Sequence, residues 1–562
     1  MADRIDRRSF LARGAVGAAG VAAAGMTGGL LDACSSSSGP SAKGTGSRDG
    51  VTSATPKRGG SLVFGTEDED QSFDPAVGRF DETGILYART VFDPLTIVAE
   101  DGSVQPYLAK SVTPNEDYSV WTIGVRPGVV FHDGTPCDAK AVAGSIEHFL
   151  GGELGISLSP SMAKTNAITV PPSDDSVVIT LNQSWVPFPT YLTGGVGGQG
   201  GYIIAPAMIA NKKNGGMQPI GTGPFVFEDW VPNDHFTSKR NPHYWRSGMP
   251  YLDQITYRPI TDADSRGSAL EAGNIDIMHT DVPNVILQFR DNRSYNYIDD
   301  SQHVVGEPDM SFIMLNLSAD PVSNIKVRQA MAMAINSKDY AKIVDKGVCA
   351  PTNQPFIPGS PYYATDSGYP AYDPTAAAAL VKEVEQETGK KVSFTMIETP
   401  DASSIQAAQY LQSRLAAVGI TMTLSPIQES VEINNALAGT YQAALWRQFA
   451  AVDPDLNYLW WSPTEIFGAL NPNFAQNKDP VIQTLLEQGR QSTDPSVRAK
   501  AYQQIAQRLN KDLPYIWNDR ATWAIVSASN VQNFNNPTTP AGGKAYGMIV
   551  GTIWTPQIWI DT

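Results

Sequence analysis

Apolar positions along the chain follow two periods, and the periods alternate. Gly59-Gly60-Ser61-Leu62-Val63-Phe64-Gly65 reads as a short strand between glycines. Residues 85–92 have helical spacing and stop at Asp93-Pro94. Residues 118–125 alternate and are rich in β-formers, closed by Arg126-Pro127-Gly128. Asp138 is placed to cap a helix through Ala141, Ile146 and Phe149, and residues 176–181 predict another strand. Further on, Val327, Ala330, Met331, Ala334 and Ile335 share one helical face. Ile405, Ala408, Leu411, Leu415 and Val418 share another, with Gly419 as the stop. Residues 420–424 alternate as a strand, and Val497, Ala501, Ile505 and Leu509 mark a late helix. Strands and helices interleaved to the end predict an α/β fold, and the lack of a visible repeat excludes a solenoid or propeller.

The first residues break this pattern. Arg4, Arg7 and Arg8 precede Ser9-Phe10-Leu11, then a weakly apolar run of Ala, Gly and Val over residues 14–31. The layout is that of an export signal, and it resembles the twin-arginine type. The run ends Leu30-Leu31-Asp32-Ala33-Cys34, which resembles a bacterial lipobox. Its six glycines make it a poor membrane span. Residues 35–57, rich in Ser, Gly, Lys, Thr and Pro, read as a flexible tether. The expectation is a signal over residues 1–33, a tether over 34–58, and a body held at the outer face of the cytoplasmic membrane by a lipid on Cys34.

Composition narrows the function. Of 562 residues, 42% are hydrophobic and 17% charged, which excludes a disordered chain. The net charge is −16, from 57 acidic and 41 basic residues. Residues 1–33 hold four Arg and three Asp, so the rest of the chain carries −17. Such acidity without basic clusters argues against nucleic acid as a partner. Three cysteines exclude a disulfide scaffold, and Cys137 and Cys349 read as buried thiols.

Catalytic signatures are missing. The six histidines lack metal-site spacing, and there is neither a nucleophile elbow nor a phosphate loop. Gly195-Val196-Gly197-Gly198-Gln199-Gly200 fits a dinucleotide fingerprint, but Pro187 and Pro189 stand where its strand belongs and Pro206 where its helix belongs. No cofactor and no resident metal are expected. An unrecognised carboxylate pair leaves an exported hydrolase open as an alternative.

Five segments in order resemble extracytoplasmic solute-binding proteins of family 5, the peptide and nickel class. They are Arg126-Pro127-Gly128-Val129-Val130-Phe131-His132-Asp133-Gly134-Thr135-Pro136; Gly221-Thr222-Gly223-Pro224-Phe225 with Trp230 and Arg240-Asn241-Pro242-His243-Tyr244-Trp245; Ala269-Leu270-Glu271-Ala272-Gly273-Asn274-Ile275-Asp276-Ile277; Leu315-Asn316-Leu317 with Val327-Arg328-Gln329-Ala330 and Ala334-Ile335-Asn336; and Tyr441-Gln442-Ala443-Ala444-Leu445-Trp446 with Asp453-Pro454-Asp455. His132 reads as a turn-packing residue, and Asn241 to Trp245 as a packing corner.

The resemblance implies a two-lobed periplasmic-binding-protein fold of type II with an extra inserted subdomain. Lobe I would comprise residues 59–310 and 517–562, with the insert at about 92–202; lobe II would be residues 311–516. Crossings between the lobes would lie near residues 310–316 and 513–516. It also implies a monomeric, non-enzymatic receptor that captures a peptide, oligosaccharide or other organic solute and delivers it to an ABC permease; ligand sensing on the same fold is the alternative. The ligand contacts it points to are Trp446, Arg447, Gln448, Phe449 and Asp453, together with Thr66, Glu67, Ser311 and Phe312. Peptide-binding relatives hold the ligand's amino terminus with a carboxylate at the position of Ala450. Alanine offers no charge-assisted acceptor, which widens the expected solutes beyond short free peptides.

Overall fold

The computed structural model describes residues 46–561, apart from 70, 79, 153, 156–157, 302–305 and 465–470. The signal, Cys34 and most of the tether lie outside the described residues. Among those described, no helix is long and apolar enough to cross a membrane.

Two large sheets organise the chain. The first runs Tyr295–Asp299, Ala524–Ala528, Ile277–Thr280, Ser61–Thr66, Gln254–Pro259, His235–Arg240 and Phe225–Val231. Its central strand, Ser61–Thr66, is parallel to both neighbours, Gln254–Pro259 and Ile277–Thr280. The second runs Ala350–Pro351, Tyr515–Arg520, Met310–Leu315, Ala443–Gln448, Ser393–Glu398 and Thr421–Pro426. The chain leaves the first sheet after Asp299, enters the second at Met310, and returns between Arg520 and Ala524. A four-stranded antiparallel sheet, Ala109–Pro114, Val120–Val125, Ser176–Thr180 and Ile168–Thr169, has its own apolar core.

Local chemistry explains the elements. Asp81 accepts from the Gly84 amide at 2.8 Å and starts helix Glu82–Val91; Asp138 does the same for Ala139–Gly151 through the Ala141 amide. Asp401 and Asp494 cap Ala402–Ala416 and Pro495–Asp512. Gly419, at φ 93°, turns the chain from the former helix into strand Thr421–Pro426. The glycine run at residues 194–200 follows a 3-10 turn, Phe188–Leu192, and ends in another, Gln199–Gly201, so the strand and helix of a dinucleotide site are absent there. Cys137 and Cys349 are buried free thiols.

The packing motifs meet around one carboxylate. Asp93 accepts from the Tyr244 hydroxyl at 2.9 Å, the Trp245 indole at 2.8 Å and the Thr222 hydroxyl at 2.9 Å. His132 contacts the Gly223 carbonyl at 3.0 Å, and burial drives its pKa down to about 4, so the ring is neutral. The Arg126–Pro136 and Gly221–Trp245 motifs therefore hold one corner together. A second buried knot joins the four-stranded unit to the second half of the chain. Arg490 pairs with Asp455 at 2.9 Å, and Asp455 also accepts from the Trp185 indole at 2.6 Å.

Candidate functional cleft

Parallel strands expose loops and helix starts at their carboxyl ends, which is where α/β sheets place ligands. Here Ser61–Thr66 is followed by Glu67, and Ile277–Thr280 by Asp281. In the second sheet, Ala443–Gln448 brings Arg447 to the same place, paired in register with Ser311. Asp309 immediately precedes strand Met310–Leu315, and Glu82 begins helix Glu82–Val91. Residues from both sheets thus converge on one charge cluster.

Arg447 is its centre. Its guanidinium donates to the Asp281 carboxylate, and it lies 5.3 Å from the centroid of the Trp523 ring. Asp309, Glu82 and Asp281 all act on its charge. Arg266, buried against the first sheet, comes within 3.9 Å of Glu67 and donates to the His279 carbonyl at 3.1 Å. Four carboxylates, Glu67, Glu82, Asp281 and Asp309, face two guanidiniums. The imbalance appears in their protonation. Burial, then the Asp281 charge, pushes Glu67 up to about 8, and burial with Asp309 and Asp81 pushes Glu82 well up. Asp309 is also raised, chiefly by burial, whereas the Arg447 contact holds Asp281 low against its own desolvation. Burial, then Asp68 across the gap, raises Glu429 on the second-sheet side.

The expected contacts divide. Arg447 and Glu67 belong to this cluster. Thr66 is buried beside it, its hydroxyl 3.1 Å from the Tyr87 hydroxyl. Ser311 lies opposite Arg447 in register, and its hydroxyl accepts from the Asn518 amide at 3.3 Å. Trp446 is half-buried; its indole donates to Gln448 at 3.1 Å and packs edge-on to Phe474. Three residues stand elsewhere. Phe312 and Phe449 stack on each other at 5.1 Å inside the apolar core: strand alternation turns Phe312 away from Arg447, and Phe449, just past the strand at φ 86°, is turned to the same core by its backbone. Asp453 caps the turn Pro454–Asn457 and accepts twice from Arg498, at 2.7 and 2.8 Å. Glu82, Asp281 and Asp309 were not singled out by the sequence. For Asp281 the available signal was an acidic residue directly following a strand; Glu82 and Asp309 carried none.

Among the described residues one donor group could hold a metal: Asp345, Cys349 and Asp519, with ligand atoms within 4.8 Å of one another. Burial and the Asp519 charge raise Asp345 to about 9, burial raises Asp519 to about 7, and the two carboxyls form a hydrogen-bonded pair. A shared proton satisfies such a pair without an ion.

The family model for bacterial extracellular solute-binding proteins, family 5, matches residues 103–466. The glutathione-binding protein GsiB of Salmonella paratyphi A is 27% identical over 452 residues, covering 76% of this chain and 83% of its own length. That of Pectobacterium atrosepticum is 26% identical, with 79% and 85% coverage. Among solved structures, Helicobacter pylori DppA in complex with the peptide STSA superposes with a TM-score of 0.77 at 22% identity, covering 90% of this chain and 99% of that one. Bacillus subtilis AppA with a nonapeptide gives 0.74 at 20% identity, covering 90% and 100%. With two sheets joined by two crossings, an additional four-stranded unit and this match over most of its length, the chain belongs to the family 5 extracellular solute-binding proteins, non-enzymatic two-lobed receptors that bind a solute and deliver it to the permease of an ABC importer.

Proposed function

We propose that the cleft receives a peptide-like solute bearing a protonated amine. The observation that carries this reading is the excess of carboxylate over guanidinium where the two sheets face each other. Burial and the neighbouring carboxylates hold Glu67 and Glu82 above the usual carboxylate range even with Arg266 and Arg447 nearby; an ammonium group would supply further compensating charge. Arg447 and Asp281 belong to opposite sheets, so a solute touching both stabilises the closed arrangement of the lobes. Trp446 shares the other face of its strand with Phe312 and packs on Phe474, so it is not part of this reading of the site. The relatives that bind glutathione and peptides support the same solute class. In this reading the expected boundaries at 310/311 and 516/517 move to the crossings between the sheets, because strands Met310–Leu315 and Tyr515–Arg520 belong whole to the second sheet: residues 59–309 with 521–562 form one lobe and residues 310–520 the other. Cys34 carries the lipid that keeps the receptor near its permease.

The test is mass spectrometry of solute released from purified protein, followed by calorimetry with the identified compound. A solute carrying a basic amine is expected. Asp281→Asn should weaken it roughly tenfold or more, the scale of one charge-assisted contact. A co-purified neutral oligosaccharide, or affinity untouched by Asp281→Asn, would overturn the assignment of the amine site.

A further inference from the structure

Behind the cleft lies a small apolar cavity whose charged lining residue is Arg89. Its walls come from both halves of the chain: Val196 from the glycine-rich loop, Ala450 and Val452 from the segment after strand Ala443–Gln448, and Ile549, Val550 and Trp554 from the carboxyl-terminal segment. Trp523 joins it to the charge cluster, with Ala450 and Val550 packed against the ring over which Arg447 lies.

Arg89 is 3% exposed. It lies on helix Glu82–Val91, donates to the Thr552 hydroxyl at 3.0 Å, and stands 4.6 Å from the centroid of the Trp554 ring. The Tyr202 hydroxyl is another neighbour. Its Nε has no hydrogen-bond partner, and among the described residues no carboxylate forms an ion pair with it. Arg490 has Asp455, Arg498 has Asp453 and Arg266 has Glu67 nearby, while Arg328, buried with no carboxylate paired to it among the described residues, has its Nε and Nη1 donating to three backbone carbonyls. A desolvated cation without a counter-charge is strongly unfavourable unless something else compensates it.

The cavity is also held open by backbone that resists relaxation. Ile549 and Thr552 exchange backbone hydrogen bonds across a tight turn in which Val550 has φ 48° and Gly551 φ 69°. A β-branched residue rarely adopts that conformation. On the facing wall Phe449, at φ 86°, turns the chain so that Ala450 to Val452 reach the cavity. The first turn also fixes the Thr552 hydroxyl, which donates to the Ile549 carbonyl at 2.7 Å and accepts from Arg89.

We propose that Arg89 is a specificity-determining residue that receives a carboxylate of the solute, with the adjoining apolar carbon of the solute seated among Val196, Ala450 and Ile549. This rests on the reading of the cleft as the solute site and adds that the solute is anionic at this end. A carboxylate fits better than a sugar hydroxyl because a full negative charge answers the buried guanidinium, and the surrounding wall is apolar.

The probe is isovalerate, a small branched carboxylate, set against its uncharged twin isovaleramide, both at up to about 50 mM with ionic strength matched by sodium chloride. Thermal unfolding of the full chain and the NMR signal of 15Nε-labelled arginine are recorded. Isovalerate is expected to raise Tm and move one protected arginine signal, with isovaleramide roughly tenfold weaker or inactive. Arg89→Met should abolish the response and Arg89→Lys retain part of it. Should Arg89→Met fail to fold, the acid and amide comparison on the unaltered protein decides. No response to isovalerate, an equal response to the amide, or an undiminished response in a folded Arg89→Met protein would overturn the proposal. None of these outcomes affects the amine site, which stands or falls with Asp281→Asn and the co-purified solute.

Discussion

Asp345 and Asp519 show how much a single side chain's surroundings decide its chemistry. Both are buried; burial and then the Asp519 charge raise Asp345 to about 9, while burial raises Asp519 to about 7 although its hydrogen bond with Asp345 pulls the other way. A carboxyl whose folded pKa is raised contributes stability that is fully present below its usual value near 4 and is lost as pH rises through the folded value. The pair should therefore make the protein less stable between pH 6 and pH 9. Asparagine at position 345 imitates the protonated acid. Asp345→Asn is expected to keep most of the stability at pH 6 and to flatten the decline toward pH 9, read as the urea midpoint at each pH. An unchanged slope would remove this pair as the cause. Spacing on one chain could not reveal it, because Asp345 follows helix Ser337–Ile343 and Asp519 lies in strand Tyr515–Arg520, far along the chain. His132 was readable, since its motif puts it between turn residues, and its bond to the Gly223 carbonyl is of the kind such a position needs.

At the level of elements, periodicity and caps carried most of the information. The helices announced by Asp138 and by the apolar faces at 327–335, 405–418 and 497–509 all form, because their stripes have partners across sheet faces. Tyr118 was expected in a strand, but it sits at φ 62° in the turn before Val120–Val125. The local hydrogen bond from its amide to the Asn115 carbonyl outweighs its preference for extended backbone. Site residues were harder. Alternation along Ala443–Gln448 and Met310–Leu315 sends Arg447 and Ser311 to one side and Phe312 to the other, so neighbours in sequence have opposite roles. Glu82 and Asp309 reach the cleft only because a helix start and a crossing segment end there. That convergence is a property of sheet order, which the sequence does not display.

For the whole molecule, the acidity first excluded nucleic acid as a partner; in the folded chain, part of it is concentrated where the two sheets meet. The remainder covers a body proposed to work at a membrane surface that is itself anionic, where mutual repulsion keeps it off the lipid except through its tether. Cys34→Ser should therefore release the protein from the membrane fraction into the soluble fraction after export, with its fold unchanged by circular dichroism. Continued sedimentation with membranes would show that some other segment holds it there.

The raised carboxyls of the cleft also make solute capture a chemical exchange with the solvent. Near neutral pH Glu67, with a pKa of about 8, holds its proton for much of the time. An arriving ammonium lowers that pKa, and the proton must leave. Uptake of one cation is then accompanied by release of a fraction of a proton. The heat of binding near neutral pH should differ between phosphate and Tris in proportion to their ionisation enthalpies, and the difference should shrink in a Glu67→Gln protein, which has no proton to release at that position. Loading is then tightest between the pH at which Glu67 gives up its proton and the pH at which the solute's amine loses its own, and the same residues that choose the solute would tie its capture to the proton concentration outside the cell.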